Sequence, residues 1–278
     1  MRASAPGPAR TVVRTAWSAG RVTTGRRMLA EETPVAFTYN RTTLAVMLAT
    51  PADLEAFALG FSLTEGIVTA AEDIEELAVV HTAEGIELRM WLAPAAATAA
   101  LARRRQLTGP GGCGLCGIES LAEAARPPRP VRSDVSFTAV ETATAIAALA
   151  PAQGLNAATR ATHAAGFWTP AEGLVALAED VGRHNALDKL AGTLARAGRD
   201  AGGGIVLLSS RLSVELVQKA AMIGAPVLAA VSAPTALAVR MADAAGMTLV
   251  GVARDDGFEI FTHPQRIALP PEATQHVA

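Results

Sequence analysis

This chain of 278 residues holds only two cysteines. A closed zinc site needs four ligands, so cysteine alone cannot build one here. No apolar run approaches the roughly 18 residues that a membrane span requires. The N-terminus carries Arg2, Arg10 and Arg14 but no apolar block of the kind that marks a secretory signal. Neither sign of charge dominates. The net charge is -2, which argues against a general attraction to nucleic acid or to membrane surfaces. There is no G-x-x-x-x-G-K-[ST] phosphate loop. Two cysteines without an export signal point to a reducing cytoplasm. There a Cys-x-x-Cys serves catalysis, redox chemistry or metal binding more often than a stable staple.

What is present is a chain that is 50% apolar, enough for a sizeable core. Residues 1–20, with Pro and Ala near the start, read as a flexible tail. Residues 21–130 read as a smaller N-terminal α+β part. Val35–Tyr39 and Leu44–Leu48 form a strand pair around Asn40-Arg41, and Pro51 opens a helix through Leu54, Phe57 and Phe61. Glu87–Leu92 is a further strand, and 94–105 is an Ala-rich helix. Arg126-Pro127-Pro128-Arg129-Pro130 is the strongest linker signal and marks the boundary.

Residues 131–270 are expected to form an α/β domain. Short apolar strands at Leu174–Ala178, Ile205–Leu208, Val227–Val231 and Leu249–Val252 alternate with helices at 183–196, 213–223 and 234–245. Strands buried on both faces read as continuous apolar runs, so this alternation predicts a layered α/β fold with a largely parallel sheet. Three strand-to-helix turns then carry polar residues: 179–185, 209–213 and 232–235. In an open α/β sheet such turns gather at the carboxyl edge of the strands, where ligands bind. Helix N-termini there favour phosphate, and His184 and Arg211 are the candidate contacts. The plainer reading makes Asp180, Ser213 and Ser232 helix caps and Pro234 a first-turn proline.

The cysteines lie in Gly109-Pro110-Gly111-Gly112-Cys113-Gly114-Leu115-Cys116-Gly117. Glycine strips side chains from around the thiols, which suits a sulfur that must reach something. Arg103-Arg104-Arg105 before the loop, and Arg126 and Arg129 after it, would depress a thiol pKa. Several roles compete. Zinc deaminases use Cys-x-x-Cys with an H-x-E element, and no His-x-Glu or Cys-x-Glu occurs here. A thioredoxin-like motif starts a helix directly after a strand, whereas this loop follows a helix. A Cys–His hydrolase with His163 or His184 has no spacing in its favour. A persulfide carrier, which passes sulfane sulfur from a flexible arm, fits the glycine frame.

Three further blocks accompany Gly112–Gly117. They are the stretch Glu179-Asp180-Val181-Gly182-Arg183-His184-Asn185-Ala186-Leu187-Asp188-Lys189, then Ser209-Ser210-Arg211 with Glu215, Gln218 and Lys219, and then Val231–Thr235 with Thr262–Arg266. In this order they closely resemble the formate dehydrogenase accessory sulfurtransferase family, FdhD. The resemblance implies a sulfurtransferase acting as sulfur carrier in molybdenum cofactor biosynthesis. A cysteine desulfurase would load sulfur onto Cys113 as a persulfide, with Cys116 assisting. The sulfur would pass to the molybdenum bis(molybdopterin guanine dinucleotide) cofactor, a bound substrate, before insertion into formate dehydrogenase. Guanine nucleotide could occupy the same site. The family's cofactor loop falls on Val252, Ala253, Arg254, Asp255, Asp256 and Gly257. The resemblance also implies a cytidine-deaminase-like fold and a homodimer. The alternative is a cofactor-binding chaperone whose cysteines do no sulfur chemistry.

Overall fold

In the computed structural model of this chain, residues 6–98, 127–254 and 257–270 are described. The chain opens with a long antiparallel hairpin, β1 (Ala9–Ser18) and β2 (Arg21–Ala30). The expected tail over 1–20 is therefore corrected: from Ala9 onward it is strand. Its turn, Ala19-Gly20, has φ of 48° and 77°, a left-handed pair that matches the right-handed twist of the strands. Alanine in the first position hides a turn that Asn-Gly would advertise.

Four strands follow: β3 (Thr33–Tyr39), β4 (Thr42–Ala49), β5 (Ile74–His81) and β6 (Ile86–Leu92), in the sheet order β4-β3-β6-β5. The Asn40-Arg41 turn joins β3 to β4 as expected, both residues having positive φ. One helix, α1 (Leu54–Thr64), covers the inner face of this sheet through Phe57, Ala58 and Phe61. Phe37 meets Phe57 edge to face at 4.9 Å between ring centroids. Residues 94–98 begin a helix, and the rest of the expected 94–105 helix lies outside the described residues.

The second half contains α2 (Ala139–Ala152), α3 (Gly154–Thr159), β8 (His163–Thr169), β9 (Gly173–Asp180), α4 (Arg183–Arg196), β10 (Ile205–Leu208), α5 (Val214–Met222), β11 (Val227–Ala230), α6 (Ala236–Ala245), β12 (Thr248–Arg254) and β13 (Gly257–Thr262). Two short strands, β7 (Phe137–Thr138) and β14 (Ile267–Ala268), pair with each other. The six long strands form one sheet in the order β13-β12-β11-β10-β8-β9. Only β10, β11 and β12 run parallel, and the outer strands are antiparallel. The alternation of side chains splits the sheet between two cores. Val206, Leu208, Leu228 and Leu249 face α4, α5 and α6, while Ile205, Leu207, Val227 and Ala229 face α2 with Phe137 and Ile267. The fold class is mixed α/β. No helix among the described residues is long and apolar enough to cross a membrane.

The N-terminal part and the layered part share a buried seam in which α1 crosses α4. The contact is between backbones: a Cβ added to Gly60 would overlap the Asp188 carbonyl, and one added to Gly192 would overlap the Ala56 carbonyl. Two buried charge clusters flank the crossing. Lys189 Nζ lies 2.7 Å from Asp180 Oδ2 and donates to Thr50 O at 2.8 Å. Lys219 Nζ lies 2.8 Å from Asp188 Oδ1 and 2.7 Å from Glu65 Oε1. Burial works against the Lys219 ammonium, but Asp188 and Glu65 hold it above the ordinary lysine value. Both lysines also sit over aromatic rings of α1, at 5.5 Å from Phe57 and 5.3 Å from Phe61.

Candidate functional site

Strand direction decides where the chemistry collects. β10, β11 and β12 end at one edge of the sheet, and β8 begins there because it runs against β10, pairing Ala165 with Leu208. β9, antiparallel to β8, ends there too, with Asp180 opposite His163. The three polar turns thus share the carboxyl edge.

At the first turn most of the 179–189 block serves the fold. Glu179 accepts from Leu155 N at 2.8 Å and Asn156 N at 2.7 Å, so it holds the start of α3. Asp180, fully buried, accepts from Thr50 N, Gly182 N and Asn185 Nδ2 within 3.0 Å. A side chain at Gly182 would press on Asn185 Nδ2, 2.7 Å from the added Cβ. Asn185 also donates to Leu48 O. Asp188 and Lys189 belong to the seam. Only Arg183 and His184 are left for a ligand. Arg183 Nε is buried without a hydrogen-bond partner among the described residues.

His184 is 9% exposed. Its Nε2 stands 3.5 Å from Ser213 Oγ and 3.7 Å from Glu215 Oε2. Burial would raise the Glu215 carboxyl. Hydrogen bonds from His184, Ser213 and its own N–H, with the His184 charge, instead bring it down to about 2. Glu215 is thus a fixed anion that orients the imidazole. His163, half-buried beside this turn, titrates below the ordinary histidine value, through burial first and then the nearby Arg183 and His184 charges.

The plainer capping reading is corrected here. Thr235, not Ser232, caps α6 by accepting from Ala238 N at 3.2 Å. Ser213 occupies the N-cap position of α5 but makes no side-chain cap bond, and its hydroxyl turns to His184 instead. α4 likewise begins at Gly182 with no side-chain cap. Both helices therefore begin at this edge without a cap bond from the side chain of their N-cap residue.

Ser209 extends the β8–β10 pairing, with Ala164 N donating to its hydroxyl at 2.8 Å. Arg211 is exposed and makes no ion pair among the described residues. A bridge between Leu212 and Pro234 ties its turn to the next. On β12, Val252 has φ of 52°, a costly conformation for a β-branched residue. It sits where the register with β13 shifts, and Val252 N donates to Ser232 O at 3.3 Å. The bulge lets Arg254 reach sideways, and its Nη1 donates to Val231 O and Ala253 O, both at 2.8 Å. Gly257 opens β13 opposite Arg254.

The structure thus brings His184, Arg211, Val252, Ala253, Arg254 and Gly257 to one edge. Cys113, Cys116, Asp255 and Asp256 lie outside the described residues. A cavity of about 510 Å³ lined by Asp53, Glu55, Thr193 and Arg196 lies at the opposite end of α4, away from this chemistry. Sequence reasoning missed Glu215 as the partner of His184, and Arg183 and His163 as its neighbours. The available signal was the 3.6-residue periodicity, which puts Glu215 in the first turn of a helix starting at the same edge.

The model of the FdhD/NarQ family matches residues 30–268. The chain belongs to this family. It is 54% identical to the sulfur carrier protein FdhD of Agrobacterium fabrum, with 94% of this chain and 96% of that protein covered. It is 59% identical to the sulfur carrier protein FdhD of Brucella abortus, over 87% of this chain and 90% of that one. A solved structure of a candidate formate dehydrogenase accessory protein from Desulfotalea psychrophila superposes with a TM-score of 0.76 at 24% identity, covering 94% of this chain and all of that one. At that identity the likeness shows a shared fold. The FdhD/NarQ match spans the hairpin end, the seam and the carboxyl edge together.

Proposed function

We propose that this protein is a sulfur carrier, a sulfurtransferase of the cytoplasm that serves formate dehydrogenase. The observation that carries the reading is the high identity, over nearly the whole chain, to relatives named sulfur carrier proteins. Cys113 is the carrying residue. Its thiolate attacks the terminal sulfur of a cysteine desulfurase persulfide, an S–S bond forms on Cys113, and the desulfurase thiolate leaves. The Cys116 thiolate then attacks Cys113 Sγ, the Cys113–Cys116 disulfide forms as the persulfide S–S bond breaks, and the outer sulfur leaves as hydrosulfide, the form that passes to the molybdenum bis(molybdopterin guanine dinucleotide) substrate.

The carboxyl edge is where that substrate would bind. Its phosphates suit the start of α4, which has no side-chain cap, and the cations Arg183, His184, Arg211 and Arg254. The family's cofactor-contacting stretch, which falls on Val252, Ala253, Arg254, Asp255, Asp256 and Gly257, would supply further contacts to it. A free guanine nucleotide would use the same donors. The deaminase-like layering implied by the resemblance is supported by the strand order and by helices on both faces of the mixed sheet.

The test is intact-protein mass spectrometry after incubation with a cysteine desulfurase and cysteine. A reductant-labile gain of one sulfur on the wild type, absent from Cys113→Ala, is the expected result. No gain while the desulfurase itself is loaded would replace the carrier with a sulfur-free cofactor chaperone.

A further inference from the structure

The two helices that frame the candidate site repeat one arrangement. His184 and Asp188 stand four residues apart on α4, and Glu215 and Lys219 stand four apart on α5. Each pair is therefore one helical turn apart on a single face. The two faces meet in two rungs. At the carboxyl edge His184 Nε2 is 3.7 Å from Glu215 Oε2 and 3.5 Å from Ser213 Oγ. One turn deeper, Lys219 Nζ donates to Asp188 Oδ1 at 2.8 Å and to Asp188 Oδ2 at 3.0 Å. The order of signs reverses between the helices. On α4 the basic side chain precedes the acidic one, and on α5 the acidic one comes first.

The deeper rung is tied to a third helix. Lys219 Nζ also donates to Thr64 Oγ1 at 3.1 Å and lies 2.7 Å from Glu65 Oε1. Thr64 ends α1, and Glu65 is its C-cap. Thr64 Oγ1 in turn donates to Asp188 Oδ1 at 2.5 Å. An ammonium has three protons to give, and here they meet acceptors on both α1 and α4. Asp188 is fully buried, and the Lys219 side chain is 7% exposed. A buried pair of this kind is a poor device for stability alone, because apolar side chains of like volume do as well or better. What the charges add is a fixed direction and distance between the helices that carry them.

We propose that Lys219 is a positioning residue of the candidate site. By drawing Asp188, Thr64 and Glu65 onto one ammonium it sets α5 against α4. It thereby holds Glu215 and Ser213 to His184 one turn away, about 6 Å along the helix axis. The imidazole then keeps one orientation and one proton position toward a ligand. A shift of α5 by about 1 Å would carry Glu215 out of reach of His184, and misplacements of that size can cost about 100-fold. α1 thus belongs to the site without touching the ligand: the N-terminal part fixes the geometry in which the layered half meets a guanine nucleotide. The inference rests on the reading of the carboxyl edge as the place where that nucleotide binds.

The test uses the full chain with guanosine diphosphate as the probe. Glu65→Gln keeps the size of the side chain and removes the anion that Lys219 meets on α1. Asp188→Asn/Lys219→Met removes both charges of the buried pair, so neither is left alone. Calorimetry reads the affinity, and the 15N shifts of the His184 ring read which nitrogen carries the proton. In the wild type Nε2 is expected to keep its proton throughout a pH titration. In both variants the Nδ1–H tautomer should appear, and affinity should fall by about 10–100-fold, the range seen when the outer partner of a ligating histidine is lost. A purely structural pair would lower Tm and leave the ring and the affinity as in the wild type, and that result overturns the proposal. Should the double variant fail to fold, Glu65→Gln decides by itself. Wild-type affinity in Glu65→Gln beside a loss in His184→Ala overturns the proposal and leaves the nucleotide reading standing. Undiminished affinity in His184→Ala overturns that reading, and the proposal with it.

Discussion

Replacing Gly192 by alanine puts a methyl group where two backbones already touch. The added Cβ would overlap the Ala56 carbonyl and lie 2.8 Å from Gly60 N. Ordinary contact between heavy atoms is about 3.5–4.0 Å, so α1 and α4 must part by on the order of 1 Å. Neither obstacle is a side chain, so no rotamer change relieves the overlap. Parting the helices also stretches bonds that cross the seam: Thr64 Oγ1 to Asp188 Oδ1 at 2.5 Å and Lys189 Nζ to Thr50 O at 2.8 Å. The cost should reach the top of the overpacking range, about 3 kcal/mol or more. At about 2–4 °C per kcal/mol for chains of roughly this size, Tm should fall by about 6–12 °C. Gly203→Ala, where nothing lies within 4 Å of the new Cβ, is the control and should stay within about 0.5 kcal/mol. Thermal melts followed by circular dichroism measure both. A Gly192→Ala melt that overlays the wild type would refute the direct backbone crossing and the seam built on it.

Two further expectations concern buried charge. Lys189→Met leaves Asp180 fully buried without its cation and should cost about 3–5 kcal/mol in urea unfolding, with Asp180→Asn/Lys189→Met losing less than the single change. If the double variant proves the less stable, the pair is not the unit that matters. Glu215 is lowered to about 2 from the ordinary 4.5. Below pH 4.5 the unfolded chain takes up the proton first, so this contribution is present above about pH 5 and is lost as pH falls toward 2. At about 1.4 kcal/mol per unit it is worth up to about 3 kcal/mol. Glu215→Gln should flatten the wild-type loss of stability over that range. An unchanged pH profile would mean that His184 does not hold the carboxylate.

Most of the layered half was legible along the chain. Strands such as Ile205–Leu208 are buried on both faces and read as unbroken apolar runs, and helix 183–196 fell where the periodicity put it. The Asn40-Arg41 turn was legible because asparagine tolerates positive φ. The first hairpin was not. Arginine and threonine alternate with valine on strands whose outer face nothing among the described residues covers, and Ala19 stands where a turn residue would have signalled. The 179–189 block was recognisable as a pattern, but its residues divide between fold and ligand only in three dimensions. Glu179 and Asp180 look like site carboxylates in sequence. They are consumed by helix α3 and by Lys189.

The sequence by itself determined the α/β alternation, the carboxyl-edge location of the polar turns and the family, because burial periodicity and local motif order are one-dimensional properties. Tertiary structure decided which of those polar residues are free. Asp188 meets Lys219, Asp180 meets Thr50 and His184 meets Glu215 across 31, 130 and 31 residues respectively. Such partners are chosen by how helices cross and strands order, and at this crossing two glycines let α1 and α4 come close enough to bury four charges between them.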